Sequence, residues 1–217
     1  MSWTESFDNL DAWTPELGGG GWGDAQLQTY DAASAVIEGG QLVITAASAG
    51  GVVTSARLIT RGSFAFTYGL VEARIRVPAG GGLWPAFWML GTDIDEVGWP
   101  ACGEIDVMEV VSPTVVHGTV HGPGFAGVGL GVGASHFAGV ALSDDFHVYG
   151  VRWEPSRITW LLDGSPYFSV SPSDLPAWPF DHPFYLLLNL AVGGRWAQGV
   201  PSLPATMVVD WVRVTEL

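Results

Sequence analysis

Period-two alternation of apolar and polar residues dominates this chain. Val71, Ala73, Ile75 and Val77 alternate with Glu72, Arg74 and Arg76, as in a half-buried antiparallel strand. Comparable patterns predict an opening strand at Trp3–Phe7, one at Gln41–Ala46, and two or three within Val53–Val77. More follow at Trp84–Leu90, Gly103–Val111, His117–His121, Val148–Trp153, Ile158–Leu162 and Tyr167–Val170. Asp163-Gly164 is a hairpin signal between the last two. Phe184–Val192 reads as apolar throughout and predicts a strand buried on both faces. Met207–Val214 closes the series, with Val209, Trp211 and Arg213 on one face and Val208, Asp210, Val212 and Val214 on the other. Gly18–Gly23 and Gly122–Gly139 read as glycine-rich loops, and the only helix predicted is a short one in Ser171–Ala177. No repeat, heptad or linker interrupts the pattern, so residues 1–217 are expected to form one all-β domain.

Composition sharpens this picture. A chain of 217 residues can bury a sizeable core. Thirty Gly and 14 Pro with only 14% charged residues fit many short strands joined by tight turns. The net charge of −14 argues against nucleic acid and against acidic polymers, sulfated ones included. No stretch reaches the length of a membrane span. The first residues lack a basic region followed by an apolar core, so no secretion signal is read in this sequence. Cys102 is the single cysteine, which precludes an internal disulfide. With no activating His nearby in sequence, it reads as a small buried thiol rather than a nucleophile.

Candidate chemistry centres on Gly103–Val111, GEIDVMEVV. Glu104 and Asp106 share a face by simple alternation, but Glu109 falls on the other. One extra residue in a β-bulge near Val107–Met108 would bring all three acids to one side, and bulges are frequent beside active sites. Crowded carboxyls cannot all ionise, so one proton must be shared and at least one pKa raised. That divides labour between an anionic nucleophile and a protonated general acid. Four strand steps span about 13 Å of backbone. Two long Glu side chains leaning inward approach the roughly 5–5.5 Å of a retaining glycosidase. A solvated acidic face or an oxygen-ligated Ca²⁺ site is the plainer alternative.

Large aromatics flank these acids. Trp84 and Trp88 share a strand face with Ala86, while Phe87 and Met89 point to the other, and Trp99 follows closely. Indoles beside carboxylates suit a sugar, whose apolar face stacks while its hydroxyls meet polar groups. His117 and His121 fall on one strand face, but nothing in their spacing enforces convergence on a metal.

These residues resemble glycoside hydrolase family 16 in its bulged, laminarinase-type form, whose signature is E-[IL]-D-x-x-E. The likeness extends to TRGSFAFTYGLVEARIRVP, GLWPAFWMLG, HGTVHG, FYLLLNLAVGGRW and MVVDWVRV, in that order. The resemblance implies a jelly-roll β-sandwich of two antiparallel sheets with a concave cleft. It further implies retaining endo-hydrolysis of β-1,3-glucans, with Glu104 as nucleophile, Asp106 assisting and Glu109 as acid/base. Trp84, Trp88, Trp99 and His121 would meet substrate, with Arg57 near the cleft or equally a surface ion-pair partner. GWGDAQLQTY resembles the glycone-side loop, with Asp24 and Gln26 where relatives usually carry Asn and Glu; a flexible surface loop is the other reading. Asp210, with backbone carbonyls near Glu5 and Gly40, matches a structural Ca²⁺ site, or else is a hydrogen-bonded Asp. No cofactor is expected for the chemistry. The expected partner is a neutral β-glucan, met outside the cell by a monomer, with no nucleic acid or membrane. Mixed-linkage glucan, agarose, or glucan binding without catalysis are the rival outcomes.

Overall fold

The computed structural model describes residues 2–124 and 131–217. Two sheets face each other, antiparallel throughout except where Thr29–Tyr30 pairs parallel with Val52–Ser55. One has seven strands, in the order Val132–Phe137, Val115–His121, Glu104–Ser112, Leu83–Gly91, Phe184–Val192, Arg57–Ile59 and Thr14–Pro15. The other has ten, running from Ser165–Val170 through Arg157–Leu162, His147–Glu154, Gly69–Arg76, Ala205–Thr215, Gln41–Ala49 and Val52–Ser55 to Thr29–Tyr30. Ser2–Glu5 pairs with the Ala205–Thr215 strand and Ala35–Glu38 with the Gln41–Ala49 strand.

The core fills the space between the sheets. Val71, Ala73 and Ile75 point inward with no exposure, while Glu72, Arg74 and Arg76 face out, as their alternation predicts. Leu186, Leu188 and Leu190 enter the same core from the Phe184–Val192 strand. Each such side chain contributes about 1.5–3 kcal/mol by leaving water. Asp163 and Gly164 both take positive φ, at 50° and 76°, as a two-residue hairpin turn of the type I′ class requires.

Several expectations are corrected. The register of Ala205–Thr215 slips between Val209 and Trp211, so the inward set is Met207, Val209, Val212 and Val214. One extra residue at Asp210 resets the parity that simple alternation assigned. Phe184–Val192 is buried along its length but not wholly apolar: Asn189 is 5% exposed and faces the other side of the sheet from Leu188 and Leu190. Within Gly122–Gly139, Val132–Phe137 forms an edge strand rather than a loop, and positions 125–130 of that range lie outside the described residues. Its glycines suit a close approach, since a Cβ at Gly133 would stand 2.5 Å from the Gly118 carbonyl oxygen. The helix expected in Ser171–Ala177 is a single 3₁₀ turn, Pro172–Asp174. Thr14–Pro15 and Ala35–Glu38 were too short or too mixed in pattern to be read as strands.

Candidate active site

A cleft of about 830 Å³ lies on the outer face of the seven-stranded sheet. Its floor is built by the Glu104–Ser112 strand and the neighbours on either side. The ladder to Leu83–Gly91 slips between Asp106 and Met108, which is the predicted bulge. Val107 and Met108 both turn into the core, and Glu104, Asp106 and Glu109 all line the cleft.

Each acid has a distinct setting. Glu104 Oε2 accepts the Trp99 indole N–H at 2.9 Å. Glu109 Oε1 accepts the Trp84 indole N–H at 2.9 Å. Asp106 is 4% exposed, and its Oδ2 lies 3.2 Å from His121 Nε2, which is also 3.7 Å from Glu104 Oε1. Burial, then the negative charge of Asp106, pushes Glu104 up to about 8, against the opposing pull of His121 and Trp99. Burial also raises Asp106. Glu109 is raised well above the ordinary carboxylate range by burial and then by the charges of Asp106 and Glu104. Three acids so placed cannot all ionise together, and Glu109, repelled by both others, is the one that position favours to keep its proton. The cluster therefore supplies a carboxylate and a carboxylic acid side by side.

The predicted substrate-binding residues all line this cleft. Trp84, Ala86 and Trp88 line it while Phe87 and Met89 enter the core. Trp88 donates to Asn189 Oδ1 at 2.7 Å. Trp99 is 46% exposed, leaving much of its ring open to a ligand while its N–H holds Glu104. Arg57 pairs with Glu16 at 2.5 Å and lies 4.7 Å over the Trp88 ring, so it is at once an ion-pair partner and a cleft wall. Gln26 lines the cleft and accepts from Gln28 at 2.9 Å. Asp24 lines it too, but its Oδ2 accepts from the Trp196 backbone N–H at 2.7 Å rather than facing a ligand alone. His117 is structural: its Nδ1 meets Ser135 Oγ at 2.8 Å, its ring stands 4.8 Å from Trp196, and burial lowers its pKa.

Lining residues that went unread in the sequence include Trp22, Tyr30, Thr119, Asn189, Arg195 and Trp196. Asn189 carried a signal, as the lone polar residue in FYLLLNLAV. Trp196 follows a Gly-Gly pair, which marks a tight approach but does not say to what. Cys102 is fully buried with its thiol pushed up to about 11 by burial and nearby acids, so it is no nucleophile.

Among the described residues, one group of acids and His has ligand atoms close enough to hold a cation, Glu104, Asp106 and His121, within 4.8 Å of one another. Asp210 is engaged otherwise. Its oxygens take the Gln41 amide at 2.8 Å and the Arg74 guanidinium at 2.7 Å. The Glu5 carboxylate takes the Phe7 N–H at 2.8 Å and the Trp13 indole N–H at 3.3 Å. Ca²⁺ wants six to eight oxygens. A carboxylate already neutralised by a guanidinium is a poor anchor for them, so as arranged Asp210 serves as the ion-pair partner of Arg74.

Comparison with known proteins bears on this cleft directly. Residues 23–213 match the family Glycosyl hydrolases family 16. The beta-glucanase of Rhodothermus marinus is 43% identical over 99% of this chain and 84% of its own length. The endo-beta-1,3-glucanase of Pyrococcus furiosus superposes with a TM-score of 0.92 at 43% identity, covering 99% of this chain and 93% of that one. The laminarinase catalytic domain of Thermotoga maritima MSB8 gives 0.91 at 40% identity, over 99% and 97% of the two chains.

Proposed function

The chain belongs to family 16 of the glycosyl hydrolases, and from that premise we propose that it cleaves internal β-1,3-glucosidic bonds of laminarin-like glucans with retention of configuration. One observation carries the mechanism: Glu104 and Glu109 share a cleft face, each held by a Trp indole N–H, with Asp106 between them. The ionised Glu104 attacks the anomeric carbon. The C–O bond to the departing sugar breaks as Glu109 delivers its proton to the leaving oxygen. Trp84 occupies Glu109 Oε1, which leaves Oε2 to carry that proton. Water then attacks the glycosyl ester, its proton passes to Glu109, and Glu104 is released as carboxylate.

Asp106 and His121 regulate the charge. The negative Asp106 raises both glutamates, and His121 opposes that rise. The aromatic walls favour a neutral sugar chain, and the net charge of −14 disfavours a sulfated one. No cofactor takes part. The polymeric size of the substrate supports an extracellular setting for the enzyme.

The test is product analysis on laminarin, barley mixed-linkage glucan and agarose, with Glu104→Gln alongside. Short β-1,3 oligosaccharides from laminarin, absent with the variant, support the proposal. Products from agarose or mixed-linkage glucan alone would keep the mechanism and change the substrate. Binding of laminarin without any product would replace catalysis by recognition.

A further inference from the structure

The walls of the cleft are not all supplied by the sheet. Trp22 and Trp196 come from two irregular segments, and each leaves over a third of its surface exposed, 37% and 39%. Exposed indoles in a cleft are retained for a ligand rather than for the core. Their placement depends on how residues 24–28 meet residues 192–196. The join begins at Val192, which donates to Gln28 Oε1 at 2.7 Å while its carbonyl takes the Leu27 N–H at 2.8 Å. A single bridge between Gln26 and Gly193 continues it. It ends at Asp24, which receives the Arg195 N–H on its carbonyl at 3.1 Å and the Trp196 N–H on Oδ2 at 2.7 Å. The Arg195 guanidinium, 3.5 Å from Oδ1, is on a mostly exposed side chain and adds little. Gly194 makes the join possible, because at φ 95° a Cβ would stand 2.9 Å from the Asp24 carbonyl oxygen.

We infer that Asp24 is a positioning residue that locks the two segments together and so holds Trp22 and Trp196 as walls of the glucan cleft. The inference rests on the proposed glycosidase reading. Trp196 stands edge-on to Trp84 at 5.0 Å, and Trp84 in turn holds Glu109. Asp24 itself bonds to neither glutamate, so its loss acts through the indole walls and is expected to weaken substrate and transition state alike.

Asp24→Ala is expected to raise KM for the polymer about tenfold with kcat within about twofold, since uniform binding is lost. Asp24→Asn keeps an acceptor for the Trp196 N–H and is expected to restore KM to within about twofold of the parent. Gly194→Ala, which pries the join from the other side, is expected to behave like Asp24→Ala. Unfolding temperatures recorded for all three separate a loosened cleft from a damaged fold. An unchanged KM in Asp24→Ala, or a kcat loss as large as any KM change, overturns the inference. If the unaltered chain releases no product from any β-glucan, the activity reading fails by itself. Asp24 is then judged by glucan affinity of the same variants, titrated through tryptophan fluorescence, where an equal affinity in Asp24→Ala overturns it.

Discussion

The Trp160 indole N–H donates to the backbone carbonyl of Asp106 at 2.7 Å, from the ten-stranded sheet to the strand that carries the acids. The acceptor stands at the register slip between Asp106 and Met108. Bulges disrupt the ladder locally, and a buried carbonyl needs a partner. Trp160 provides one from across the core, and Gly118 makes room for it: a Cβ there would lie 2.3 Å from the indole. The shape of the active site is thus held from behind.

Trp160→Phe should therefore cost both stability and activity. It keeps most of the ring and removes the donor, leaving a buried acceptor unpaired at about 1–3 kcal/mol. For a chain of this size that lowers the unfolding temperature by roughly 2–12 °C. Calorimetry and kcat on the same preparation check it, and an unchanged melting temperature would show that the bulge holds itself.

Trp99→Phe tests the charge state of Glu104. The Trp99 N–H lowers the pKa of Glu104, so its removal raises that pKa. The acidic limb of the kcat/KM profile should move to higher pH by about half a unit to one unit. A limb that stays in place would mean that another group governs it.

Stability should fall as pH rises through the neutral range. Glu104 has a folded pKa of about 8, above its ordinary value of 4.5. The folded chain then binds more protons than the unfolded one between those values. The stability this group contributes is full below about 4.5 and lost by about 8. Glu104→Gln, which cannot ionise, should melt several degrees higher than the parent at pH 8 and close to it at pH 4.5. Denaturation curves at both pH values decide the sign.

Calcium should have little effect. Because Arg74 already pairs with Asp210, adding Ca²⁺ or removing it with EGTA should leave the melting temperature unchanged within about 1 °C. A rise on adding Ca²⁺ that Asp210→Asn abolishes would establish a metal there instead.

Much of this protein was legible in its sequence because strand periodicity is local. Alternation at Val71–Val77 needs only neighbours along the chain, and so did the parity argument that demanded a bulge in GEIDVMEVV. The same logic failed at Asp210, where an apolar run gave no sign of the extra residue and the slip shows only against the partner strands. Two further facts depended on distant segments meeting. Asp24 reads equally as a sugar contact or as part of a surface loop until Trp196, 172 positions away in sequence, is seen donating to it. Asp210 reads equally as a metal ligand or a hydrogen-bonded Asp until Arg74 is seen on its carboxylate. Chain order carries the pattern of side chains that leave water. Which polar groups then satisfy one another is decided only when the sheets close, because a hydrogen bond depends on distances of a few tenths of an ångström that periodicity does not encode.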